Sequence, residues 1–253
     1  MTVSKENVAV EQDVVEDFRR AVAQDIMALA VLHNAELTAD LAEQLVSQQF
    51  PAGLQFQLLS NQGKETMRLL HDSIQLLDGN LDTSTLDELA ADYAAIYLTH
   101  ALQASPFESV WIDEEGLAMQ EPMFQIRAIY RRYGLAVQDW RIRSDDHLVL
   151  QLQFVSHLME NGVGIREVAR FLDEHLLRWL PDFATRVASR CATPFYAGLS
   201  AFTATYMEEV RDSLVEILGE PRPTAEEIDQ RMRPVHTAPL PEPKYAPGSA
   251  PSW

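Results

Sequence analysis

Apolar residues recur three and four positions apart along almost the whole 253-residue chain, and strict alternation is nearly absent. That spacing gathers apolar side chains onto one stripe of a 3.6-residue helix, so the chain buries its hydrophobic surface by packing helices. The first stripe is Val15, Phe18, Val22, Ile26, Leu29 and Leu32, and the second, after Gly63, is Met67, Leu70, Ile74 and Leu77. Thr85-Leu-Asp-Glu88 reads as a capping box opening a third helix through Leu89, Tyr93, Ile96 and Tyr97, which Pro106 ends. Pro122 suits a first helical turn, and the helix it opens closes at Gly134 after Arg131-Arg132-Tyr133. Ser144 precedes Leu148, Leu152, Val155 and Met159, a helix that Asn161-Gly162 stops; the brief alternation Gln151-Leu-Gln-Phe-Val lies inside it and reads as helix. Val168, Phe171, Leu172, His175, Leu176 and Trp179 form the next, up to Pro181, which opens a short one containing Phe183 and Val187. The longest stripe runs from Phe195 through Leu199, Phe202, Tyr206, Val210 and Leu214 to Ile217, closed by Gly219, and a short helix is expected over Thr224–Arg231. The expected fold is all-α, a single multi-helix bundle of about nine helices.

Proline and charge divide the chain. Eight of the 13 prolines (221, 223, 234, 239, 241, 243, 247 and 251) lie after residue 220. The expected organisation is a flexible N-terminus over residues 1–10, a helical domain over 11–220, and a mostly disordered Pro-rich tail over 221–253. Four basic and four acidic residues cancel in the tail, so the net charge of -18 sits on the body. Acidity of this size keeps a protein soluble, repels nucleic acid and anionic membrane surfaces, and favours a basic partner. The single cysteine, Cys191, fits a reducing compartment; the first residues lack an apolar run, and no stretch is apolar enough to span a membrane. A soluble, cytoplasmic protein is expected.

The familiar catalytic signatures are missing: no Gly-x-Gly-x-x-Gly, Gly-Lys-Ser/Thr loop, His-Glu-x-x-His, Gly-x-Ser-x-Gly or Cys-x-x-Cys occurs. Nothing calls for a catalytic residue, a metal or a cofactor. One cluster stands apart, Ser144-Asp145-Asp146-His147 beyond Trp140. It reads first as a helix N-terminus, with Ser144 capping and the two acids favoured by the helix dipole, and second as a carboxylate and a titratable donor offered to a cationic ligand.

Six runs in order resemble the TorD/DmsD family of cytoplasmic redox-enzyme maturation chaperones: Asp92-Tyr93-Ala-Ala-Ile96-Tyr97, Pro106-Phe107-Glu108-Ser109-Val110-Trp111, Tyr130-Arg-Arg-Tyr133-Gly134-Leu135, Asp145-Asp146-His147-Leu148, His175 to Phe183, and Pro194 to Leu199. The resemblance covers roughly residues 10–217. It implies an all-helical chaperone, not an enzyme, that binds the twin-arginine signal peptide and apo form of a molybdopterin (molybdenum or tungsten) oxidoreductase until the cofactor is inserted. Carried over by position, the family's acidic-Asp-His motif falls on Asp145, Asp146 and His147, and its groove on Ile96, Tyr97, Pro106, Ser109 and Trp111, with Phe107 and Met119 as further lining. The chain departs from the family at Arg143-Ser144, where Glu-Pro is usual. Monomer and homodimer stay open at this point. So do two rival readings, an accessory subunit docking through its Pro-rich tail and a small-molecule enzyme using Asp146 and His147 as an acid/base pair.

Overall fold

The computed structural model describes the backbone of residues 5–233, with side chains from Asp13 onward. Residues 1–4 and 234–253, which hold part of the expected flexible N-terminus and most of the expected disordered tail, lie outside the described residues. Contacts divide the chain into two units, Met1–Arg222 and Pro223–Trp253.

The first unit is helical throughout. In order come α1 (Lys5–Asn34), α2 (Ala39–Ser47), α3 (Asn61–Gln75), α4 (Thr83–Tyr93), a π-helical turn (Ala94–Leu98), the single turn α5 (Ser109–Ile112), α6 (Glu121–Arg132), α7 (Leu148–Glu160), α8 (Ile165–Glu174), a 3₁₀ turn (Leu176–Arg178), α9 (Leu180–Arg190) and α10 (Pro194–Leu218). The second unit contributes α11 (Ala225–Met232), opened by a capping box between Thr224 and Glu227. All nine helical stripes of the sequence have a helix, but the one expected from Val168 to Trp179 ends at Glu174, and His175 leaves helical geometry before the 3₁₀ turn; α2 and α5 are additional. Only Ala42 and Leu45 are buried on α2, too few positions to set a period. Residues 5–10, expected as part of a flexible start, belong to α1.

Two caps fall elsewhere than the sequence suggests. Asp82, not Thr85, caps α4, its carboxylate accepting from the Thr85 amide at 2.8 Å. His147, not Ser144, caps α7, its Nδ1 accepting from the Val149 amide at 3.1 Å. In both cases the side chain nearest the first free amides wins, and a tripeptide spacing alone does not say which that is. The helix begun at Thr83 also ends as α-helix at Tyr93 and continues as a π turn, ahead of Pro106.

The core is built along α10, whose Phe195, Tyr196, Leu199, Phe202, Tyr206, Val210 and Leu214 are all buried. α3 and α9 pack against it. A Cβ on Gly198 would meet the Leu70 backbone at 3.0 Å, so the close approach of α10 and α3 needs a glycine there. The other main pairing is α1 with α7. Arg19 on α1 caps the C-terminal end of α7, donating to the Met159 and Leu158 carbonyls at 3.1 and 2.9 Å, and Ser156 donates back to the Ala23 carbonyl. This pairing fixes the platform from which the 133–147 connection is hung.

Candidate functional site: a buried acidic loop beside an apolar groove

The chain between α6 and α7 turns inward at Ser144. From there to His147 every residue is buried, and Asp146 has no exposed surface. Burying a carboxylate is costly unless it is hydrogen-bonded, and each of the two here is. Asp146 accepts at Oδ2 from the Ser109 amide (2.9 Å) and hydroxyl (2.6 Å), and at Oδ1 from the Ser144 hydroxyl. Asp145 takes Nε and Nη2 of Arg127 at 3.0 and 2.8 Å, while its carbonyl accepts from the Tyr130 hydroxyl.

The loop is thereby laced to the segment before α5. The Glu108 amide donates to the Asp146 carbonyl and the Leu148 amide to the Pro106 carbonyl, leaving Phe107 and His147 as an isolated antiparallel bridge. Their rings meet edge to face at 5.1 Å, and Phe107 meets His100 in the same way at 5.6 Å. Behind them the fully buried Glu108 accepts from Gln151 and His175, both at 2.9 Å. Burial first, then the Arg143 charge, hold the His147 imidazole well below its ordinary pKa. The ring is neutral, with Nδ1 committed to the helix cap and the proton on Nε2.

The departure at Arg143-Ser144 has a structural use. Ser144 supplies a hydrogen bond to Asp146. Arg143 reaches the C-terminal end of α1, donating to the side chain and carbonyl of Asn34, where a cation offsets the helix dipole.

A groove of about 630 Å³ opens next to this loop. Its walls are Met27 on α1, Leu150, Gln153, Phe154, His157 and Glu160 on α7, Tyr130 on α6, and Leu135–Asp139, Ile142 and Arg143 of the connection between α6 and α7. Tyr130 and Arg143 belong to both groove and loop, whereas Asp145, Asp146 and His147 do not line the groove. Most of the lining is apolar, with Asp139 and Glu160 carrying negative charge on the walls.

Of the eight site residues expected from the sequence, Pro106, Ser109, Asp145, Asp146 and His147 meet in the laced loop. Trp111 is half-buried near it, donating from Nε1 to the Ser105 carbonyl, with the Arg186 guanidinium 4.4 Å from its ring centroid. Ile96 and Tyr97 lie in the core on the π turn. Tyr97 hydrogen-bonds Nδ1 of the fully buried His33, whose Nε2 pairs with Thr203 at 2.9 Å. Thr203 itself donates to the Leu199 carbonyl, so it accepts from His33, and Tyr97 is the donor to Nδ1. Phe107 is half-buried and Met119 exposed. The groove walls were not singled out by the sequence. One signal was there: Met27 lies off the α1 stripe, and Val137 and Ile142 are apolar residues in a connection between helices.

Residues 57–185, about half the chain, match the family model described as nitrate reductase delta subunit. The chaperone protein TorD of Vibrio cholerae serotype O1 is 30% identical over 144 residues, 53% of this chain and 65% of the relative. The chain thus spans just under two thirds of the length of that relative. TorD of Aliivibrio fischeri is 24% identical over 191 residues, 71% of this chain and 88% of its own. That of Shewanella sp. ANA-3 is 25% identical over 208 residues, 80% and 98%. The chain belongs to this TorD-like, nitrate reductase delta subunit family.

Proposed function

We propose that the protein is a cytoplasmic chaperone of a molybdenum or tungsten oxidoreductase, holding the apo enzyme through its twin-arginine signal peptide while the cofactor is inserted. The observation that carries this reading is the juxtaposition of an apolar groove with a loop that concentrates carboxylates. A twin-arginine signal joins positive charge to an apolar stretch; the groove suits the second, and the loop's carboxylates suit the first once the loop opens.

The energetics divide the same way. Exposed ion pairs contribute only about 0.2–1 kcal/mol each, enough to set register. Burying about 400 Å² of apolar peptide in the groove contributes roughly 10 kcal/mol gross, against an association cost of about 4–15 kcal/mol. At the low end of that cost, with two ion pairs added, about 8 kcal/mol is left, a micromolar complex suited to a partner that must be released.

Asp145 and Asp146 are closed off in the unliganded structure, so the client arginines act by exchange. Arg127 is the partner of Asp145 and keeps 22% of its side chain exposed, so a client guanidinium can take over the same carboxylate without leaving it unpaired. Ser109 and Ser144 release Asp146 as the Pro106–Trp111 segment separates from the loop, and the neutral His147 offers Nε2–H. The enzyme reading is less favoured because His147 Nδ1 already caps α7 and Asp146 is fully enclosed.

Calorimetric titration of a twin-arginine signal peptide into the full chain tests the proposal. A dissociation constant in the micromolar range is expected, about threefold weaker for Asp145→Asn and about tenfold weaker for Leu150→Ser in the groove wall. No heat at tens of micromolar peptide rejects it.

A further inference from the structure

The chain carries a net charge of -18, yet Phe124 to Arg143 holds Arg127, Arg131, Arg132, Arg141 and Arg143 against the single acid Asp139. Asp145 neutralises Arg127. Among the described residues the other four have no carboxylate within ion-pair distance; Arg143 is turned to Asn34, and Arg131, Arg132 and Arg141 are exposed.

The same stretch exposes apolar side chains that nothing in the unit covers. Ile142 is 84% exposed, the highest value among the large apolar side chains of the described residues, with Phe124 at 53% and Trp140 at 43%. Cations and apolar groups form one surface. The Arg127 guanidinium lies 5.7 Å from the Phe124 ring centroid and 5.2 Å from that of Trp140, and Arg141 lies 5.7 Å from Trp140. Arg131 follows Arg127 by one helical turn and so stands on the same face of α6.

We propose that this surface docks reversibly on an anionic lipid bilayer. Its positive charge requires an anionic partner, and an acidic protein would have to provide a cavity shaped for a protruding Ile142 and Trp140. A bilayer needs no such cavity: its interface accepts tryptophan at headgroup depth and an aliphatic tip just below, while arginines reach anionic headgroups. Each arginine near such a surface strengthens partitioning about fivefold. The acidity of the remaining body does not prevent this. At physiological ionic strength the screening length is about 8 Å, so charge far from the contact is hidden from the lipid and the local arginines decide. The expectation from net charge, that anionic membranes are avoided, reverses at this patch. Attachment is peripheral, since no helix among the described residues is long and apolar enough to cross a membrane. Ile142 also borders the neighbouring groove, but Arg131, Trp140 and Arg141 do not line it, so vesicle binding by the unliganded chain reads this patch apart from the groove's occupant.

Co-sedimentation of the full chain with vesicles decides the matter. The protein is expected to pellet with vesicles of equal parts phosphatidylglycerol and phosphatidylcholine at low salt, to be released as salt is raised, and to stay in solution with phosphatidylcholine alone. Arg131→Ala and Arg141→Ala should each lower partitioning about fivefold. The triple variant Arg131→Ala, Trp140→Ala, Arg141→Ala should abolish it with an unchanged melting temperature, while Arg131→Lys, Arg141→Lys retains it. Failure to pellet with the anionic vesicles, equal recovery with phosphatidylcholine, or undiminished binding by the folded triple variant would overturn the proposal.

Discussion

Residues 134–142 and 143–148 are consecutive in the chain and opposite in character. The first segment displays Trp140, Arg141 and Ile142 to solvent; the second folds Asp145, Asp146 and His147 beneath Pro106–Trp111. Residue type alone suggests the reverse, with apolar side chains inside and carboxylates outside. The difference teaches that a side chain's place follows from the partners it finds. Asp146 is buried because Ser109 and Ser144 satisfy its oxygens, and Ile142 is exposed because nothing in the unit packs over it.

The sharpest way to break the contrast is to remove Asp146. Asp146→Ala deletes the acceptor for the Ser109 amide and hydroxyl and leaves donors buried without partners. A loss of about 3 kcal/mol in urea-measured unfolding free energy is expected. A loss below 1 kcal/mol would mean that the loop is not fastened as described.

Acidification acts next in size. Burial pushes the His33 imidazole down to about 3, far below its unfolded value near 6.5. Between these values the unfolded chain binds a proton that the native chain refuses, so stability is complete above pH 6.5 and falls as pH drops toward 3. His33 alone should remove about 2 kcal/mol between pH 7 and pH 5. His147, shifted in the same direction by burial and by Arg143, adds to that loss. Urea unfolding at the two pH values checks this, and His33→Gln should flatten the dependence.

Tyr97→Phe removes only the donor to His33 Nδ1 and should cost about 1 kcal/mol at pH 7, read from the same denaturation curves. At the other extreme, Trp140→Ala should change stability by no more than about 0.5 kcal/mol, because half-exposed surface aromatics contribute little to folding. If Trp140→Ala proved as destabilising as Asp146→Ala, the two segments would not differ as the structure has them.

Much of this molecule could be read from spacing. The stripes on α1, α3 and α10, the proline that opens α6, and the glycines that close α6 and α10 are local facts of turn geometry. Gly134 and Gly219 do sit at positive φ, where glycine is free of strain. Of the candidate site, the cluster Asp145-Asp146-His147 and, separately, Pro106 and Ser109 were named through the family resemblance; that they meet was not legible. Its closed state was not, since Ser109 stands 37 residues from Asp146 and Arg127 18 from Asp145. The groove was illegible for a similar reason: Met27 and Glu160 become neighbours only through the packing of α1 on α7.

The sequence by itself determined that the chain is helical, roughly where each helix begins and ends, and how much charge the body carries, because these depend on residues within a turn or two or on a simple sum. Only the tertiary structure decided which carboxylates are enclosed, which aromatic residues face water, and where cations gather on an acidic protein. Those outcomes depend on groups brought together from distant parts of the chain, and no local pattern encodes which group will arrive.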